Sequence, residues 1–88
     1  MAVKVEVFVS EPPCSGGRLL LRLMDEVKRQ CGDMIEVEVH RGPTREAEAY
    51  GIKVSPAVVI DCDIRIIGVC PTKATLLEAL REAGLPVD

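Results

Sequence analysis

Apolar and polar residues alternate strictly at two places in the first half of the chain, and each alternation predicts a β-strand. The first strand is expected over residues 3–9, where a valine at every second position is separated by Lys4, Glu6 and Phe8. The second is expected over residues 34–40, where the intervening positions are polar. A period of two places one set of side chains on each face of a sheet. The polar face of the second strand indicates a position near the sheet edge.

Between these strands the spacing of apolar residues changes to that of a helix. The positions on one helical face are Leu20, Leu23, Met24, Val27 and Cys31. This pattern predicts a helix that begins at Arg18 and stops at Gly32, with Cys31 in the core. A short helix is expected over residues 44–50. A final helix is expected after Pro71, with Thr72 as its N-cap.

The second half of the chain predicts a β-hairpin. Residues 54–60 form one strand with a proline near its start, residues 61–63 form a tight turn that exposes Cys62, and residues 64–69 form the returning strand. The first two strands are expected to be parallel with a right-handed crossover, and the last two antiparallel. We therefore predict one α/β domain over residues 1–88, a mixed four-stranded sheet with helices on both faces.

The composition limits the classes of function. The chain has 88 residues, a formal net charge of −3, one Tyr, one Phe and no Trp. Without a basic stripe or a set of stacking aromatic rings, nucleic-acid binding is not expected. No apolar run reaches the roughly 20 residues of a membrane span, and no signal peptide is apparent. We expect a cytoplasmic monomer that contacts no membrane.

The four cysteines form no C-x-x-C pair, and their spacing matches no zinc signature. Since cytoplasmic thiols are normally reduced, these cysteines are not expected to form a disulfide framework. We expect no bound cofactor and no metal site. His40 is the only histidine, and we interpret it as a solvated polar residue at the end of the second strand.

The clearest candidate chemistry lies in the stretch over residues 7–20. A strand stops at Pro12-Pro13, Cys14 follows, and two glycines lead into the first helix. The first N–H groups of a helix have no intrahelical partner, and together with the helix dipole they favour a negative charge. Since the thiolate is the reactive form, Cys14 is predicted to be an activated nucleophile with Arg18 as a nearby positive charge. The alternative is a small apolar or capping residue without chemistry.

The order of elements and the positions of Cys14 and Pro56 resemble the thioredoxin fold. The short chain is most similar to the small thioredoxin-like and glutaredoxin-like redox proteins of archaea and some bacteria. Residues 14–17, of sequence CSGG, occupy the place of the family's redox C-x-x-C motif. Residues 54–56 occupy the place of its cis-proline loop, and residues 67–69 that of the glycine-containing turn beside the substrate groove.

This resemblance implies a thiol–disulfide oxidoreductase with a protein or small-thiol disulfide as its partner. It implies that Cys14 is catalytic and that the peptide bond before Pro56 is cis. The residues that it places around a bound partner are Pro13, Ser15, Gly16, Gly17, Ser55, Pro56, Gly68 and Val69.

The chain departs from the family at Gly17, which stands where the second, resolving cysteine is expected. Cys14 could act as a monothiol that an external thiol resolves. Another cysteine could resolve it, and Cys70 is the candidate because the hairpin returns it to the level of Pro56. The domain could also be a non-catalytic binding module. A dimeric iron–sulfur or metal carrier is the third class, although the family's cluster-binding motif, C-G-F-S, differs from residues 14–17.

Overall fold

The chain folds into strands and helices in the predicted order. The computed structural model describes residues 2–85. Its elements are β1 (Val3–Val9), α1 (Ser15–Cys31), a 3-10 turn (Gly32–Met34), β2 (Ile35–Arg41), α2 (Arg45–Tyr50), β3 (Ala57–Ile60), β4 (Ile64–Ile67) and α3 (Lys73–Glu82). Among the described residues, no helix has both the length and the apolar character needed to cross a bilayer.

The four strands form one mixed sheet in the order β2-β1-β3-β4. β1 and β2 are parallel, while β1 pairs antiparallel with β3 and β3 pairs antiparallel with β4. β2 lies at one edge of the sheet, which confirms the position predicted from its polar face. β1 and β3 lie in the middle, and their side chains are buried on both faces from Val5 onward.

Helices cover both faces of the sheet, as predicted. The main core lies under α1 and α3, where Val7 of β1 packs in one cluster with Leu20 and Leu80, all fully buried. A smaller core lies on the opposite face, where Phe8 packs with Val59 beneath residues of α2 and the loop after it. Because successive residues of a strand point to opposite faces, β1 supplies both cores.

Three element boundaries differ from the prediction by two residues or more, while those of β2 and α2 differ by one. α1 begins at Ser15 rather than Arg18, because the Cys14 side chain accepts a hydrogen bond from the helix and caps it. β3 begins at Ala57 and β4 ends at Ile67, so both are shorter than expected. Pro56 has no N–H group to donate to a neighbouring strand, so β3 begins after it. The Pro56 carbonyl still accepts a hydrogen bond from the backbone N–H of Gly68 at 2.9 Å.

His40 is not the solvated residue that was predicted. It lies directly beside Phe8 in the β1–β2 register, and the two rings stack with their centroids 4.7 Å apart. Only 14% of the His40 side chain is exposed. The prediction was wrong because an alternating pattern shows which face a residue occupies, but not that a helix packs over that face.

Candidate active site

Cys14 lies in the loop between β1 and α1 and serves as the N-cap of the helix. The residue is exposed. Its sulfur accepts a hydrogen bond from the backbone N–H of Gly17 at 3.4 Å, and its carbonyl accepts one from the N–H of Arg18 at 2.9 Å. The thiol therefore lies at the first turn of α1, where one backbone N–H group donates to its sulfur.

Ser10 organises the loop that leads to Cys14. Its hydroxyl accepts a hydrogen bond from the Cys14 backbone N–H at 3.1 Å and donates one to the Pro12 carbonyl at 3.0 Å. The Arg18 guanidinium donates to the Pro13 carbonyl at 3.1 Å, so it holds the loop from the helix side. Sequence reasoning did not single out Ser10; the available signal was a serine placed between the strand end and the two prolines.

The pKa of the Cys14 thiol is lowered from its ordinary value. The largest cause is the hydrogen bond from the Gly17 N–H group. The Ser10 hydroxyl and the N–H groups of Gly16 and Cys14 also lower the pKa, while partial loss of hydration around the thiol opposes them. Polar hydrogens near the sulfur stabilise the negative charge of the thiolate, and the Gly17 N–H group donates to the sulfur directly. A larger share of Cys14 is therefore thiolate at neutral pH than in a free cysteine.

We expect Ser10→Ala to raise the pKa of the Cys14 thiol, because one group that stabilises the thiolate is lost. Alkylation of Cys14 should become slower than in the wild-type protein at neutral pH, and the two rates should converge at alkaline pH, where both thiols are ionised. The measurement is the pH dependence of the alkylation rate. Ser15→Ala is the matched control, since Ser15 is exposed beside Cys14. Identical pH profiles for Ser10→Ala and the wild type would contradict the role of Ser10.

Three segments that are far apart in the sequence meet beside Cys14. A Cβ atom placed on Gly16 would lie 3.4 Å from Cγ and Cδ of Pro56, so the start of α1 packs closely on this proline. The Ser55–Pro56 peptide bond is cis. Gly68, whose N–H group donates a hydrogen bond to the Pro56 carbonyl, has a φ of +86°, a left-handed backbone conformation that favours glycine. The structure thus brings together the three segments that the resemblance placed at one site.

Apolar side chains are exposed around this proline. Val54 is 56% exposed, Ile67 42% and Val69 59%. A surface cleft of about 370 Å³ lies between the loop before Cys14 and the loop before Pro56, with Ser10 and Ser55 among its lining residues. Val54 belongs to both features, so the exposed apolar side chains adjoin the cleft.

The other three cysteines lie in different surroundings. Cys31 is buried in the main core, as predicted, and burial raises the pKa of its thiol. Cys62 is exposed at the hairpin tip, also as predicted. The backbone N–H of the neighbouring residue, Asp61, donates a hydrogen bond to the Lys4 carbonyl near the start of β1. Cys14 follows the end of β1, so Cys62 and Cys14 lie near opposite ends of that strand.

Cys70 is half-buried and packs against the main core. Its thiol donates to the Pro71 carbonyl at 3.6 Å, and burial raises its pKa. The structure favours a packing role in the core for Cys70 over a role as the resolving thiol. A Cys14–Cys70 disulfide stays a prediction.

Comparison with known sequences finds archaeal relatives over almost the whole chain. The thioredoxin of Methanocaldococcus jannaschii is 39% identical over 83 residues, which cover 91% of this chain and 94% of that protein. A probable thioredoxin of Methanothermobacter thermautotrophicus is 36% identical over 84 residues, which cover 93% of this chain and 96% of that protein. No protein-family model matches the chain.

Comparison with solved structures supports the same fold. A structure titled as that of a malarial protein matches with a TM-score of 0.81 at 15% identity, covering 97% of this chain and 100% of that one. The structure of thioredoxin-2, a component of the malaria parasite's protein secretion machinery, matches with a TM-score of 0.67 at 13% identity, covering 92% of this chain and 82% of that one. These matches confirm the predicted fold class.

Proposed function

The chain belongs to the thioredoxin family, and from that premise we propose that it is a thiol–disulfide redox protein that acts through Cys14 alone. The observation that carries this proposal is an exposed thiol held at the N-terminus of α1, with its pKa lowered by the Gly17 N–H group. The family supports a thiol–disulfide redox role in general. The single-cysteine mechanism rests on Gly17, which supplies no second thiol to the motif.

In the first step, the Cys14 thiolate attacks one sulfur of the partner's disulfide. A new S–S bond forms between Cys14 and the partner, the old S–S bond breaks, and the departing thiolate takes a proton from water. In the second step, a small thiol from solution loses its proton and attacks the Cys14 sulfur of this mixed disulfide, so the Cys14–partner bond breaks and the partner leaves with both of its thiols reduced. A second small thiol then attacks the small-thiol sulfur of the resulting Cys14 adduct, and the two small thiols leave as a disulfide. Cys14 departs as a thiolate, which its lowered pKa favours, since a thiol of low pKa is the better leaving group.

An external thiol suits the second step better than Cys70 does. The Cys70 thiol is half-buried, and its raised pKa reduces the thiolate that could attack. Peptide mapping of the oxidised protein checks this part of the proposal. Adducts of Cys14 with small thiols support the external route, whereas a Cys14–Cys70 bond would show that the protein resolves itself.

We propose a protein disulfide as the partner. The exposed side chains of Val54, Ile67 and Val69 offer apolar surface beyond the reacting sulfur, which a small disulfide would not use. In this proposal, a bound segment of the partner lies across the Pro56 loop and the turn at Gly68, beside the start of α1. The residues proposed to contact it are Pro13, Ser15, Gly16, Ser55, Gly68 and Val69, while Gly17 and Pro56 are buried and support this surface from below.

The test is turnover of a protein disulfide with excess small thiol as the reductant. Cys14→Ser is expected to reduce the rate to that of the small thiol alone, because the nucleophile is gone. Cys62→Ser removes the other exposed thiol and should leave the rate unchanged, which makes it the matched control. In competitive labelling with limiting reagent, Cys14 should be alkylated before Cys62. Turnover that persists in Cys14→Ser would contradict the mechanism.

The same assay separates catalysis from binding alone. If the wild-type protein forms a stable complex with the partner but does not accelerate disulfide reduction, the domain is a binding module. In that case Cys14→Ser should bind the partner as tightly as the wild type does.

A further inference from the structure

A second group of reactive side chains lies on the sheet face that α2 covers in part. Glu6, Glu38 and His40 each offer one ligand atom, and these three atoms lie within 4.8 Å of one another. Glu6 is only 2% exposed, which is unusual for a carboxylate. We propose that this carboxylate–histidine cluster binds a zinc ion through one oxygen of each glutamate and Nε2 of His40, with water completing the coordination. None of the cysteines is needed.

The distances within the cluster fit a small divalent ion. His40 Nε2 lies 3.4 Å from Oε1 of Glu6 and 4.0 Å from Oε2 of Glu38. Oxygen and nitrogen ligands lie about 2.0–2.2 Å from zinc, so two of them on a tetrahedral ion are about 3.3 Å apart. The first pair therefore already has the right separation. The Glu38 side chain is 41% exposed, so it is free to move closer to both His40 and Glu6 when a metal binds.

Further residues orient the proposed ligands. Tyr50 Oη donates to Oε2 of Glu6 at 2.5 Å, which leaves Oε1 facing His40. Oε1 of Glu46 lies 3.7 Å from Nδ1 of His40, the other nitrogen of the ring. Phe8 stacks on the same ring. A histidine that binds a metal through one nitrogen almost always directs its other N–H group to a carboxylate or carbonyl. Glu46 is placed for this role, although at 3.7 Å its carboxylate makes no hydrogen bond to Nδ1 and must move closer when a metal binds.

The buried nitrogen of His40 independently points to a ligand. Nε2 is fully buried, and within residues 2–85 it has no hydrogen-bond partner of acceptable geometry. A buried polar atom without a hydrogen bond destabilises the fold, so each such atom needs a physical reason. A metal ion that takes the lone pair of Nε2 supplies one.

The charge of the cluster matches a divalent cation. Glu6, Glu38 and Glu46 carry three formal negative charges around His40, and Lys4 carries one positive charge. With His40 neutral, the formal charge is −2. The Lys4 ammonium lies 3.7 Å from Glu6 and 3.2 Å from Glu38, so it is the group that a metal ion must displace. Its side chain is 43% exposed and can turn towards solvent.

The first experiment is a zinc titration of the 88-residue chain without a tag, with Cys14→Ser and Cys62→Ser, since exposed thiolates bind zinc themselves. Competition with a chromophoric chelator measures the affinity. Nitrogen-15 spectra of the imidazole report coordination without ambiguity, because His40 is the only histidine. We expect one equivalent of zinc to bind and to shift the Nε2 resonance. No substitution of a proposed ligand is needed for this result.

Variants then locate the ion. Glu38→Gln should weaken zinc binding by about a hundredfold or more, since loss of a group that only orients a ligand costs about 10–100-fold. Glu36→Gln removes the same charge from an exposed position two residues away and should leave the affinity within about twofold of the parent. Lys4→Ala should strengthen binding, because it removes the competing ammonium.

Two results would overturn the proposal. One is the absence of saturable zinc binding, even with Lys4→Ala, which would make the cluster an ion-pair network. The other is zinc binding that leaves both ring nitrogens of His40 unshifted, which would place the ion elsewhere. Neither result bears on the redox proposal, because Cys14 and the cluster use different residues.

Discussion

Replacing Gly17 with cysteine is expected to convert this protein from a monothiol to a dithiol redox protein. The Gly17 N–H group already lies 3.4 Å from the Cys14 sulfur, so a thiol at this position would be next to the reacting atom. A Cβ atom there would lie 3.4 Å from the nearest side-chain atoms of Pro13 and Val9, which is ordinary contact. The second cysteine would attack Cys14 in the mixed disulfide and release the partner.

We expect Gly17→Cys to raise the turnover of a protein disulfide about tenfold or more at low external thiol, because an intramolecular step replaces a bimolecular one. The lifetime of the mixed disulfide at Cys14, measured by quenching with acid and mass spectrometry, should fall in parallel. Gly17→Ser is the matched control, since it adds nearly the same volume without sulfur. Equal turnover of the cysteine and serine variants would contradict the view that a missing resolving thiol limits this protein.

Among the substitutions proposed for this protein, Leu20→Ala is expected to cause the largest loss of stability. Leu20 lies on the inner face of α1, is fully buried and packs in the main core between α1, α3 and the sheet. Deleting a buried leucine side chain beyond Cβ costs about 2–5 kcal/mol of unfolding free energy, from lost burial and from the cavity left behind. In a domain of this size each kcal/mol lowers Tm by about 4–8 °C.

The neighbouring residue is the control for this prediction. Leu19 is 56% exposed on the same helix, so Leu19→Ala makes the same chemical change outside the core. Its effect should stay within about 0.5 kcal/mol. Urea unfolding followed by circular dichroism measures both variants. A Leu20→Ala protein as stable as Leu19→Ala would show that the main core is not packed as described.

Much of the candidate site follows from short-range patterns. The strand, the two prolines, Cys14 and the leucine-rich helix are consecutive, so the sequence alone predicts a thiol at the N-terminus of α1. The role of Ser10 was missed, because its hydrogen bonds depend on how the proline loop folds back. The contact of Gly16 with Pro56 joins segments some forty residues apart, and only the family resemblance anticipated it.

The sequence by itself determined the element order, the parallel direction of β1 and β2, the antiparallel hairpin of β3 and β4, and which residues of each strand share a face. These properties are local, since they depend on the period of apolar residues and on the connections between neighbouring elements. The tertiary structure alone decided what covers each face. It turned Glu6 and His40 from residues of a polar strand face into a half-enclosed cluster, and it packed Cys70 against the core. Burial of this kind depends on where distant elements pack, and the period of a single strand carries no information about that.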